Sequence, residues 1–155
     1  MNDDEFNAFV DKIQEEVFAE TKNVLGEKGF DRWRNPKFCG KMEDADAFAR
    51  LKGSCGDTME MYLKFNGDHV ERVSYVTDGC GSSAVAASFA AELAMGRNAD
   101  QVFDISGADV LAEIGSFPEA EEHCAYLAVE TLQEALNKYM VDQAKKNSVK
   151  NSISD

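Results

Sequence analysis

The chain opens on a helical rhythm. Phe6, Phe9, Val10, Ile13, Val17, Phe18, Val24 and Leu25 recur at steps of three and four, with acids and lysines between them. That spacing predicts an amphipathic helix over residues 4–25 with its stripe packed on the core, ended by Gly26 and Gly29. Asn35-Pro36 then sets a loop, because a residue before proline avoids helix geometry. Residues 43–52 fit either a short helix through Phe48 and Leu51 or a strand over 48–52. From Thr58 the period becomes two: Met59, Met61, Leu63 and Phe65 share one face, and Glu60, Tyr62 and Lys64 the other. Asn66-Gly67 is a strong hairpin signal, and the return strand over 70–77 puts Val73 and Tyr75 on one face. The helical period resumes over 82–96, where alanines suit close packing on a sheet and Val85, Phe89 and Leu93 line one side. Ser82 or Ser83 is the expected cap of this helix and Gly96 its terminal glycine. Short helices are expected at 99–103 and at 107–114, the second capped by Ser106. The last helix starts at 119–123 and runs to 140 on Ala125, Val129, Leu132, Leu136 and Tyr139. The pattern predicts one domain over 1–144 and a polar, disordered tail over 145–155.

Charge narrows the function classes. Lys and Arg number 16 against 29 Asp and Glu, a net charge of −13 that repels phosphate backbones and argues against nucleic acid as a partner. No apolar run approaches the ~20 residues a membrane span needs. The acidic start, Met1-Asn2-Asp3-Asp4-Glu5, lacks the basic and apolar regions of a secretory signal, so a cytoplasmic protein is expected. In a reducing compartment its four cysteines point to metal or sulfur chemistry more than to disulfides, and none of them forms a CxxC pair.

Three cysteines share a setting. Cys55 lies in the turn Gly53-Ser54-Cys55-Gly56-Asp57, Cys80 in Asp78-Gly79-Cys80-Gly81-Ser82, and Cys124 follows His123 at the start of the last helix. A thiol at a helix N-terminus meets exposed N–H groups and positive dipole charge, which favour the thiolate, the form that binds metal. The hairpin brings Asp57 and Asp78 together, so Cys55 and Cys80 must be neighbours. The candidate site is therefore Cys55, Asp57, Cys80, His123 and Cys124. Soft thiolates with one oxygen or nitrogen ligand suit an iron–sulfur cluster, zinc or copper(I). The bland alternative is that these cysteines are small buried hydrophobes.

With those motifs in order, the chain resembles the IscU/NifU-type iron–sulfur cluster assembly scaffolds. The resemblance rests on Asn35-Pro36, on Cys55-Gly56-Asp57-Thr58-Met59, on Asp78 to Ser82 and on His123-Cys124-Ala125-Tyr126-Leu127-Ala128. The intervals of 24 residues between Cys55 and Cys80 and 43 between Cys80 and Cys124 also fit. It covers residues 30–140 and implies an α+β fold, a small antiparallel three-stranded sheet with helices packed on it, in which 48–52 is the third strand. It further implies that Cys55, Cys80 and Cys124 hold a transient [2Fe–2S] or [4Fe–4S] cluster, with Asp57 or His123 as fourth ligand. Zinc would fit the same thiolates in the isolated protein.

The partners so implied are a cysteine desulfurase, an iron or electron donor and apo iron–sulfur proteins, with no classical turnover by the scaffold itself. The alternative is a zinc-dependent sulfurtransferase, a persulfide acceptor of the SufU type. The 43-residue interval leaves no room for the insertion typical of that branch. Members served by a dedicated Hsp70-type chaperone carry Leu-Pro-Pro-Val-Lys before the His-Cys pair. Here the run is Phe117-Pro118-Glu119-Ala120-Glu121, which speaks against that chaperone. Outside the motifs, Cys39 reads as a partly buried packing residue, His69 as a surface residue, and Trp33 as an anchor for the N-terminal segment.

Overall fold

The alternation over 58–77 becomes two strands of a three-stranded antiparallel sheet: β1 (Ala47–Lys52), β2 (Thr58–Asn66) and β3 (His69–Thr77), in the order β1-β2-β3. The computed structural model describes residues 1–153. The ambiguous 43–52 stretch resolves into β1, whose Ala49 and Leu51 stand opposite Met61 and Met59. The hairpin turn is Gly67-Asp68, one residue later than the Asn-Gly pair, and Gly67 takes a φ of +64°. A left-handed angle there costs glycine little. Ala49, Met59, Met61, Leu63, Val73 and Tyr75 form the sheet's inner face, all buried.

Two helices cover that face. α2 (Gly81–Ala94) is apolar nearly all round, and Ala86, Ala87, Ala90, Ala91 and Ala94 are fully buried. Side chains this small let the helix lie between the sheet and its neighbours without voids. α5 (His123–Ile153) packs Cys124, Ala125, Ala128, Leu132 and Leu136 beside it. α3 (Ala99–Phe103) and α4 (Gly107–Ile114) begin with capping boxes on Asn98 and Ser106. α5 passes residue 140 and continues to Ile153, so the segment expected to be a disordered tail is helical as far as 153. Extending a packed helix through good helix formers such as Ala144, Lys145 and Lys146 costs far less than nucleating one. The last two residues of that expected tail lie outside the described ones.

The largest departure is at the N-terminus. α1 (Asp3–Arg34) is broken at Gly26, whose φ of +72° and ψ of −178° are not helical. Gly26 ends the first helical arm as expected, but the chain re-enters a helix through Gly29 and stops only at Asn35-Pro36. The break folds the arms together. Phe18 meets Phe30 at 5.8 Å and Trp33 at 6.0 Å between ring centroids, whereas twelve residues of straight helix would span roughly 18 Å. Trp33 is thus the anchor its sequence context predicts.

The apolar stripe of the first arm does not pack on the core. Phe6, Phe9, Val10, Ile13, Val17 and Val24 are all exposed, and Leu25 alone of the predicted stripe is fully buried. Cys39 also differs from expectation, being exposed at the sheet edge. Its neighbours bond to β3: Gly40 N–H donates to the Tyr75 carbonyl at 2.8 Å, and Tyr75 N–H to that of Phe38 at 2.9 Å. The strand pairing, not side-chain packing, fixes this cysteine.

A candidate metal centre at one end of the sheet

Sheet register decides where the chemistry gathers. Lys52 pairs with Thr58, and Met59 with Thr77, so the β1–β2 turn and the exit of β3 lie at the same end. That turn holds Cys55 and Asp57; the exit leads through Gly79 to Cys80. Asp78 ties the two, its Oδ1 accepting from Thr58 N–H at 2.6 Å, while Thr77 Oγ1 donates to the Thr58 carbonyl at 2.8 Å. Gly53 N–H closes the Cys55 turn onto the Asp57 carbonyl at 2.8 Å. A β-carbon on Gly53 would sit 3.0 Å from Leu127 Cδ2, so glycine lets this turn lie on the first turns of α5.

The hub of the site is Ser83. It is buried at 1% exposure, and its hydroxyl lies 3.3 Å from Asp57 Oδ2, 3.3 Å from Cys124 Sγ and 3.9 Å from Cys80 Sγ. A hydroxyl has one proton and two lone pairs. It donates to Asp57 while Cys124 is a thiol, and is free to donate to Cys124 once that sulfur is a thiolate. Sequence pattern assigned a capping role to Ser82 or Ser83. Instead Cys80 is the N-cap of α2, without a side-chain cap bond, and Ser83 points into the site. The glycines around Cys80 leave room for this. A β-carbon on Gly79 would meet Ser83 Oγ at 2.6 Å and Asp57 Oδ2 at 2.9 Å, and one on Gly81 would meet Trp33 Nε1 at 2.6 Å.

The other candidates stand at the rim. His123 is exposed, with Nε2 3.7 Å from Cys124 Sγ. Cys55 and Cys80 are exposed. Glu121, which in sequence only marks a departure from a chaperone motif, places Oε1 3.9 Å from Cys80 Sγ. Among the described residues, no three His, Cys, Asp or Glu side chains already stand close enough to hold an ion. Asp57, Cys80 and Cys124 converge on one hydroxyl, while Cys55 and His123 flank them from a turn and a helix start.

Electrostatics works against a free thiolate at Cys124. Burial pushes the Cys124 thiol above its ordinary value, the Ser83 hydrogen bond pulls the other way, and the negative forms of Cys80, Glu121 and Cys55 raise it further. The raised value means that the folded state disfavours the thiolate. This thiol therefore contributes stability below its unfolded pKa, and that contribution is lost as pH rises through the folded pKa. Buried and held as the thiol, Cys124 is expected at pH 8 to react with iodoacetamide at least ~10-fold more slowly than exposed Cys39, Cys55 and Cys80, and its own rate should rise with pH. Peptide mass spectrometry over time checks this; equal rates at all four cysteines would refute the assignment. A crowd of acids and thiols that repel one another's charge is relieved by a cation.

Comparison with known proteins places the chain in a family. Residues 25–146 match the family model described as the NifU-like N terminal domain. The chain belongs to that family. It is 31% identical over 128 residues to iron-sulfur cluster assembly scaffold protein IscU 1 of Archaeoglobus fulgidus, covering 82% of this chain and 84% of that one. It is 32% identical over 122 residues to iron-sulfur cluster assembly scaffold protein IscU of Aquifex aeolicus, covering 77% and 78%. Its fold resembles a crystal structure described as a putative iron-sulfur cluster assembly scaffold protein for the SUF system, from Fervidobacterium islandicum. The TM-score is 0.61 and the identity 25%, over 75% of this chain and 98% of that one. The three-stranded sheet with packed helices is the fold that the family resemblance implies. The family match takes in all five candidate residues and begins just before Gly26, leaving out the first arm of α1. No described helix is long and apolar enough to cross a membrane.

Proposed function

We propose that this chain is a scaffold on which an iron–sulfur cluster is built from iron and desulfurase-derived sulfur and then handed to apo-proteins. The observation that carries the reading is the convergence of Cys80, Cys124 and Asp57 on the Ser83 hydroxyl, at the open end of the sheet where Cys55 and His123 also stand. Cys55, Cys80 and Cys124 hold the cluster, each losing its proton on ligation. The Cys55 turn, between Gly53 and the left-handed Gly56 (φ +92°), is the element that swings in to complete the ligand set. Asp57 or His123 takes the fourth position. Thiols that must stay reduced to ligate suit a reducing compartment, and we take it to be the cytoplasm.

The donor set distinguishes a scaffold from an electron carrier. A permanent carrier uses four thiolates. Here the fourth position falls to Asp57 or His123; a carboxylate is a hard ligand poorly matched to sulfide-bridged iron, and with Asp57 in that place the cargo is labile. The desulfurase, an iron or electron donor and the apo-acceptors are the partners this role requires. Exposed Cys55 and Cys80 are the thiols able to accept persulfide sulfur.

Asp57→Ala is expected to slow cluster transfer to an apo-ferredoxin at least ~10-fold while cluster formation persists, as removal of a tuning ligand does. An unchanged transfer rate would remove Asp57 from the mechanism. Anaerobic incubation with iron, cysteine and a cysteine desulfurase tests the whole reading. A brown, air-sensitive product with iron and sulfide in equal amounts supports it. Tightly bound zinc with stimulated desulfurase and no cluster would replace it by the zinc-dependent sulfurtransferase.

A further inference from the structure

The first arm of α1 carries a seam that the fold leaves bare. Phe6, Val10, Ile13, Val17, Glu20 and Val24 follow one another at alternating steps of four and three, the spacing of core positions in a two-helix coil. At ~100° per residue they form one stripe, with Phe9 along its edge. Phe6 and Phe9 are more than half exposed, and Val10, Ile13, Val17 and Val24 are exposed by 41–44%. The arm is held to the body from another side, through Phe18 and Leu25, which lie ~100–120° round the helix from the stripe.

The seam runs into a groove. Glu20, Thr21 and Val24 form one wall of a cavity of about 460 Å³, whose other walls include Trp33, Pro118 and Cys80. An apolar strip that leads to a thiol of the candidate metal centre is a surface in want of a partner.

Charge selects the partner. Asp3, Asp4, Glu5, Asp11, Glu15, Glu16 and Glu20 stand against a single Lys12 over residues 3–20. Two such arms side by side would repel, which disfavours arm-to-arm pairing of two copies of this chain. β-Branched valines at Val10, Val17 and Val24, alternating with Phe6 and Ile13, suit pairing with one further helix.

We propose that the first arm of α1 is a docking strip for a basic amphipathic helix of a partner protein, which pairs along the valine seam and reaches the groove at Cys80. This is helix-in-groove recognition, with apolar anchors at helical spacing and complementary charge setting partner choice. The strip is independent of what the cysteines carry.

The test uses the full-length protein without cluster, so a failure to build a cluster leaves the readout intact. The probe is a tryptophan-free synthetic helix with Leu and Ile at its seam positions and Lys on the flanks. An acidic twin has Glu for Lys. Trp33, the only tryptophan, lines the groove and reports occupancy by its emission. The expected result is a saturable emission shift with the basic helix, weakened at least ~10-fold by Ile13→Glu and by Val17→Glu, both exposed positions whose change leaves the core intact. The bound helix should also slow iodoacetamide labelling of Cys80 and leave Cys39, outside this groove, unaffected. The proposal is overturned by no saturable response up to about 1 mM helix, by equal binding of the acidic twin, or by unchanged affinity in both variants. A wild-type dimer in sedimentation that Ile13→Glu dissociates would overturn it too, because a second copy would then own the strip.

Discussion

Cys124→Ser protein is expected to form less than about a tenth of the wild-type cluster on anaerobic reconstitution, with Cys55→Ser and Cys80→Ser following and Cys39→Ser unaffected. A hydroxyl is a far poorer ligand than a thiolate for sulfide-bridged iron. Loss of even an outer-sphere group around a metal typically costs 10–100-fold in affinity, so loss of a ligand should cost no less. Bound iron and acid-labile sulfide per chain measure it. Cys124 is the sharpest of the three because it is buried at 2% exposure, with Ser83 Oγ 3.3 Å from its sulfur. Retention of more than half the wild-type cluster in any of the three variants would remove that residue from the ligand set. Loss in Cys39→Ser would bring the sheet-edge thiol into it.

The second large effect is on stability. Arg32 lies in the second arm of α1 and is 7% exposed. Its guanidinium donates to both Glu92 oxygens at 3.1 Å and to Ser88 Oγ at 2.9 Å, and stands 4.1 Å over the Phe89 ring. These contacts fasten α1 to α2, the helix that Cys80 begins. Removing one partner of a buried pair costs ~3–5 kcal/mol. Glu92 is 40% exposed and recovers part of its hydration, so we expect Arg32→Ala to cost about 2–3 kcal/mol. For a domain of this size that lowers Tm by about 5–10 °C. Arg32→Lys should recover only part, since a single ammonium nitrogen cannot span Ser88 and Glu92 as the two guanidinium nitrogens do. Thermal unfolding followed by circular dichroism decides it, and a fall below about 2 °C for Arg32→Ala would show the pair to be incidental.

The sheet and the site's outline were legible because both rest on local signals. Period-two alternation from Met59 to Phe65 and the turn at Gly67 set a hairpin, and the hairpin forces the Cys55 turn and the Cys80 exit to one end. Glycines flank Cys80 and stand two residues before Cys55, and the close approaches at Gly79, Gly81 and Gly53 are to Ser83, Asp57, Trp33 and Leu127. What escaped was long-range. Arg32 looks like any helix-end basic residue until α2 is docked against it. Ser83 has the same local sequence signature as a helix cap, and only the arrival of α5 turns its hydroxyl toward Cys124. The stripe from Phe6 to Val24 has the spacing of a core-facing helix. Periodicity cannot tell a stripe that packs on its own chain from one left bare. Glu121 joined the site for a similar reason, since only the folded turn before α5 brings its carboxylate to Cys80.

Handover is the act that defines a scaffold. Wild-type protein reconstituted anaerobically should pass its cluster to a stoichiometric apo-ferredoxin within minutes, read as growth of the ferredoxin's circular dichroism spectrum while the donor's decays. A cluster that stays on the chain in the presence of the acceptor would make this protein a carrier, and the proposed role would be wrong.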